Sequence, residues 1–164
     1  MSQPWRAGAF AGVTAVVVAV TILLGRRAAS TARAGLLATG AGLLFGLQDG
    51  FTRAAMLILS SGLVPLLESW LPYAVLVVAV TGLLLAQSAF EAAPLRASLP
   101  AITAAEPLVG IAYGISVFAE GVRTAPVWLA LEVAGLIAMI AGVVVLTRSP
   151  MLTPQPPPRH YSRV

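Results

Sequence analysis

The feature that most constrains this chain is a succession of long apolar runs separated by short polar breaks. The runs cover about residues 7–24, 31–59, 72–90, 98–118 and 126–146. A bilayer core about 30 Å thick needs about 20 apolar residues in helical form, and each run is close to that length or longer. A soluble domain of this size must cover a large surface with polar groups. This chain cannot, because it is 59% hydrophobic and only 10% charged, whereas soluble domains carry about 25% charged residues. The expected fold class is all-α: a polytopic membrane protein built as a bundle of about five transmembrane helices.

The breaks fit that architecture. Gly25-Arg26-Arg27 ends the first run. The stronger positive charge follows the apolar core instead of preceding it, which favours a retained helix over a cleaved signal peptide. Ser60-Ser61-Gly62 and Pro65 interrupt the chain after the second run. Residues 63–71 are expected to form a loop or a short interfacial helix, with Trp70 and Tyr73 at headgroup level. A short charged connector follows Phe90, and a hinge over residues 119–124 leads to the fifth run. From Pro150 to Val164 the proline content predicts a disordered or extended cytoplasmic tail.

Composition also removes whole classes of chemistry. There is no cysteine, so disulfides and thiolate metal sites are excluded. The one histidine, His160, lies in the tail, away from the apolar segments. No enzyme, cofactor or metal centre is expected. All ten basic residues are arginines and the net charge is +4, but no basic stripe with aromatic interleaving accompanies them, so nucleic acid is not an expected partner. The arginines fall between the apolar runs instead. With five crossings, Arg6, Arg53 and Arg123 lie on one side, and Arg26, Arg27, Arg33, Arg96, Arg148, Arg159 and Arg163 on the other. The positive-inside rule makes the second side cytoplasmic, with the N-terminus outside and the C-terminus inside. An odd number of spans in that orientation is natural for the second half of a longer protein.

The segment from Gly82 through Ala86, Gln87, Phe90, Pro94 and Leu95, then Ser98 and Pro100, then Glu106-Pro107-Leu108-Val109-Gly110, then Gly114, Phe118 and Glu120, resembles the C-terminal half of drug/metabolite transporters, the EamA-like permeases. It is closest to their actinobacterial branch, which is similar to NIPA-like magnesium transporters. The resemblance covers about residues 34–149 and lies in the order and spacing of the positions. It implies ten helices as two inverted five-helix repeats in a complete member, of which this chain supplies one repeat. A site between repeats then requires either a homodimer or a second five-helix half.

Ionisable groups at membrane depth are costly, and each is a functional candidate. Gln48, Asp49 and Arg53 occupy the later part of the second run. Asp49 and Arg53 share a helix face and are expected to pair, as structure or as part of a site. Glu106 precedes Pro107, whose missing N–H frees a carbonyl that can line a cavity. In the orientation that the resemblance implies, Gln87 comes to similar depth from the cytoplasmic side and shares one polar site with Glu106, the bland alternative being an interhelical hydrogen bond that only fixes packing. Glu132 lies inside the fifth run, facing either the cavity of Asp49 or the interface. Glu91, Arg96, Glu120 and Arg123 read as anchors at helix ends. Small residues four apart recur at Gly8/Gly12, Gly42/Gly46/Gly50, Gly110/Gly114 and Ala138/Gly142, which is the spacing that lets membrane helices approach closely. The expected function is transport of a small solute across the cell membrane, with proton coupling at a carboxylate such as Glu106. The alternatives are divalent cation transport through Glu106, Asp49 and Glu132, or a non-transporting subunit that pairs with a second chain.

Overall fold

A computed structural model of the chain describes residues 4–118 and 126–147, and every regular element among them is an α-helix. The helices are α1 (Pro4–Gly25), α2 (Ser30–Leu59), α3 (Leu63–Glu68), α4 (Leu71–Ala92), α5 (Leu95–Phe118) and α6 (Pro126–Thr147). The five long helices match the five apolar runs closely at both ends. The short α3 fills the break where an interfacial helix or loop is expected. The tail from residue 150 and the hinge over residues 119–124, with Glu120 and Arg123, lie outside the described residues.

Three helical segments are long and apolar enough to cross a membrane: Trp5–Gly25, Leu71–Ala92 and Ala97–Phe118. With 21 or 22 residues each, at about 1.5 Å per residue they reach the thickness of the hydrocarbon core. α6 contributes a shorter apolar stretch, Val133–Val145. α2 is the longest helix, at 30 residues, yet it is not among the three. Five glycines (Gly35, Gly40, Gly42, Gly46 and Gly50) together with Gln48, Asp49 and Arg53 dilute its apolar character.

The reason for that dilution is position. α2 is the central helix and packs against α1, α4 and α5, while α6 packs against α5. On one side Gly25 meets Leu36 and Leu37, and Gly40 meets Thr21 and Val18, so α1 runs antiparallel to α2. Gly82 of α4 lies against Leu44 and Phe45. Further along α4, Ala86 and Ala89 cluster with Leu37, Ala38 and Ala41, which makes this pair antiparallel as well. α5 runs parallel to α2, since Gly42, Gly46 and Gly50 face Ile102, Glu106 and Tyr113 in ascending order.

These contacts form two apolar cores. One, at the Leu59 end of α2, contains Ala7, Leu47, Phe51, Leu71, Val109, Tyr113 and Val117. The other, towards Ser30, contains Leu37, Ala38, Ala41, Ala86, Ala89 and Ile102. Outside them, large apolar side chains point away from the bundle, including Val13, Val16 and Leu23 on α1 and Leu76, Val77 and Leu84 on α4. Contiguous exposed apolar surface of this kind is unfavourable in water and suits lipid. The threonines obey the same solvent. Thr14 donates to the Phe10 carbonyl at 3.0 Å, Thr81 to Val77 at 2.7 Å and Thr103 to Leu99 at 2.9 Å. Each hydroxyl is thus satisfied within its own helix, as an apolar medium requires.

The turn between α2 and α3 is closed locally. Ser60 and Ser61 donate to the carbonyls of Leu57 and Ile58 at 2.7 and 2.6 Å. Gly62 follows with φ 129°, a backbone conformation that a β-carbon would strain. The Tyr73 hydroxyl donates to the Leu67 carbonyl at 3.2 Å, tying α4 back to α3.

Candidate functional site

The site begins with three glycines. A β-carbon at Gly42 would lie 2.6 Å from the Ile102 carbonyl oxygen and 2.8 Å from the Ala105 β-carbon. One at Gly46 would overlap the Glu106 carbonyl oxygen, and one at Gly50 would lie 2.5 Å from the Tyr113 ring. Backbone therefore lies on backbone along this seam, as small residues at membrane-helix interfaces permit. Cα–H groups facing carbonyls add weak attraction of about 0.5–1 kcal/mol each. The other stripes do not do this. Gly8, Gly12, Gly110 and Gly142 have nothing within 4 Å of a built β-carbon. The spacing of four recurs throughout, but the α2 stripe is the one used for close approach among these.

This seam carries the polar residues. Phe45 meets α4 at Gly82, and its neighbour Gly46 meets α5 at Glu106. Asp49, one turn further, therefore lies on the face of α2 between α4 and α5. Asp49 is exposed and Glu106 half-buried, and the two carboxylates lie within Coulombic range of each other. Gln48 is half-buried. Pro107 stands inside α5 directly after Glu106. Its missing N–H leaves the Thr103 carbonyl without its usual helical donor. The seam thus places two carboxylates from two helices and an interrupted backbone at one depth.

Gln87 does not join them. It is exposed on α4, directly after Ala86, whose side chain packs at the level of Ala38 and Ala41. Glu106 sits at the level of Gly46. At 1.5 Å per residue the two differ by about 10 Å along α2. The partner that the structure gives Glu106 is Asp49, not Gln87. Arg53 turns to the end of α5, where its guanidinium carbon lies 4.9 Å from the centroid of the Phe118 ring. Glu132 falls within α6, but its side chain, like that of Arg96, lies outside the described residues.

One residue carries more than its sequence suggests. Tyr113 is fully buried and sits edge-to-face with Phe10, Phe51 and Phe118, at centroid distances of 5.2, 5.9 and 5.7 Å. Phe51 in turn meets Trp70 at 5.2 Å. Five rings from α1, α2, α5 and the corner before α4 thus close one end of the bundle. The sequence offers no signal for this beyond a tyrosine in an apolar run, since its partners are far apart in the chain.

The chain is similar to an uncharacterized protein of Corynebacterium glutamicum, 34% identical over 110 residues. The match covers 66% of this chain and 38% of that relative's length. No protein-family model matches the chain. No solved structure matches it.

Proposed function

We propose that this chain is a membrane transporter of the drug/metabolite type, or one half of such a transporter, moving a small solute across the cell membrane. The observation that carries the proposal is the convergence of Asp49 and Glu106 on the α2–α5 seam beside Pro107. Acidic groups at membrane depth cost free energy and persist where they bind or relay charge. A carboxylate with a second carboxylate near it favours a bound proton or cation more than a lone one does. A site of this kind can couple solute movement to a proton.

In this proposal α2 and α6 join the three apolar segments as spanning helices, making five. The arginine distribution puts the N-terminus outside and the C-terminus in the cytoplasm. The second half is either another copy or a separate five-helix unit. The C. glutamicum relative supports the larger assembly, because 110 residues forming 38% of it make it about 290 residues long, room for about ten spans.

The test is flux in proteoliposomes under an imposed pH gradient. The Glu106→Gln variant, which keeps shape and loses charge, is expected to abolish pH-dependent flux. Unchanged, pH-dependent flux in that variant would exclude Glu106 as the coupling group.

The same carboxylate pair favours a second reading, divalent cation transport of the NIPA-like kind, since carboxylate oxygens suit hard cations. Magnesium uptake by a magnesium-depleted cell separates the two. Cation transport predicts uptake that depends on Asp49 and Glu106 together, and solute transport predicts none.

A further inference from the structure

We propose that the aromatic cluster around Tyr113 is a gate, closed in this structure, that opens when the Tyr113 ring leaves its seat on Gly50. The proposal rests on the transport reading above.

The first support is an unpaired polar atom. The Tyr113 hydroxyl is buried and has no hydrogen-bond partner among the described residues. A buried hydroxyl without a partner opposes the state that buries it. The Ser98 hydroxyl is also buried and unpartnered, but a serine can rotate onto a carbonyl of the preceding turn. The phenol of a tyrosine is too far from its own backbone to do so. Tyr113 finds a partner only if the ring moves.

The second support is the seat. A β-carbon at position 50 would lie 2.5–2.8 Å from three atoms of the ring. The ring therefore rests flush on bare α2 backbone, with no side chain interlocked beneath it. Its other contacts, Phe10, Phe51 and Phe118, are edge-to-face pairs that hold a geometry without hydrogen bonds or charge.

The third support is the hinge. Pro107 lies between the carboxylate site and Tyr113 on α5. A proline inside a helix removes a hydrogen bond and lets the two segments kink. The segment after Pro107 carries both Tyr113 and Phe118. Tyr113 is seven residues beyond Glu106, about 10 Å further along the helix. The cluster therefore lies between Glu106, at the level of Gly46, and the Leu59 end of the bundle.

Because the chain has no cysteine, a single introduced thiol reports the opening. Val117→Cys places it in the same buried core as Tyr113, one turn along α5, at a position 2% exposed. Ala89→Cys, at a position 0% exposed in the opposite core, serves as the control. The full chain is placed in lipid nanodiscs and its maleimide labelling rate measured. Tyr113→Phe keeps the ring and removes the unpaired hydroxyl, so the closed state gains. Labelling at position 117 is expected to slow about tenfold, with no change at position 89. Labelling at position 117 that is unchanged or faster in Tyr113→Phe overturns the gate, as does equal slowing at both positions. If Val117→Cys does not fold, Leu47→Cys, 3% exposed in the same core, replaces it. The readout does not require flux. Slowed labelling with no flux in any preparation retains the gate and sinks transport. Unchanged labelling with flux lost in Glu106→Gln retains transport and sinks the gate.

Discussion

Gly46 of α2 lies so close beneath the backbone carbonyl of Glu106 that a β-carbon there would overlap the oxygen. The residue that brings α5 against α2 and the residue that brings charge into the seam are thus a contacting pair. Packing and chemistry share one position along the bundle. Changes to either should be felt by both.

Replacing Gly46 with alanine should push α5 away from α2. The obstacle is backbone, which cannot rotate aside, so overpacking should cost about 1–3 kcal/mol or more. Gly110→Ala, with open space around its built β-carbon, should be neutral or slightly stabilising. Thermal unfolding of the two purified variants in the same detergent checks this. Equal melting temperatures would mean the seam is looser than described.

Gly50 and Tyr113 should couple. Gly50→Ala crowds the ring and should destabilise, and Tyr113→Leu should lose the aromatic contacts. With both changes together the added methyl group no longer meets a ring. The double-mutant cycle should show an interaction energy in the range of about 0.5–3 kcal/mol typical of contacting residues, with the sign that relieves the single-mutant cost. Additive losses would place the two residues out of contact.

The site as built separates Asp49 from Gln87. Asp49→Asn should change the pH dependence of flux, because it removes the charge facing Glu106. Gln87→Ala should leave flux within about twofold of the parent, being exposed and about 10 Å away along the bundle. Parallel proteoliposome assays decide between them. Loss of flux in Gln87→Ala alone would return the site to α4.

The orientation proposed from the arginines can be read independently. Single cysteines at Ser61 and at Arg27, both exposed and at opposite ends of α2, should label differently in intact cells. A membrane-impermeant reagent should reach Ser61→Cys from outside and reach Arg27→Cys only after permeabilisation. The reverse pattern would invert the topology.

Much of the fold was legible as apolar length. The runs, the break at Ser60-Ser61-Gly62 and the short helix after it all follow from local sequence, because a lipid solvent imposes length and apolarity residue by residue. The partners of each helix were less legible. Glycines at a spacing of four mark a stripe but not what lies across it, and Gly42, Gly46 and Gly50 look no different in sequence from Gly8 and Gly12. Asp49 and Glu106 were each visible as charges in apolar runs. Their pairing was not, because the depth of one helix against another depends on loop geometry and on which small residues meet. Gln87 shows the same limit: it lies about 10 Å nearer the Ser30 end of α2 than Glu106 does, a register that local sequence does not set. Tyr113 was invisible, since its importance comes from a hydroxyl with no partner and from rings contributed by distant parts of the chain.

The central place of α2 also bears on how such a bundle is made. A helix carrying Asp49, Arg53, Gln48 and five glycines has a weak claim on the membrane when it leaves the ribosome, since charged residues disfavour insertion by about 2.5–3.5 kcal/mol each at the helix centre. α1 precedes it and α4 and α5 follow, and those carry the three segments long and apolar enough to cross a membrane. If α2 spans the bilayer, as proposed, its retention there is a property of its neighbours, and the bundle is complete only when α5 has closed over the glycine seam.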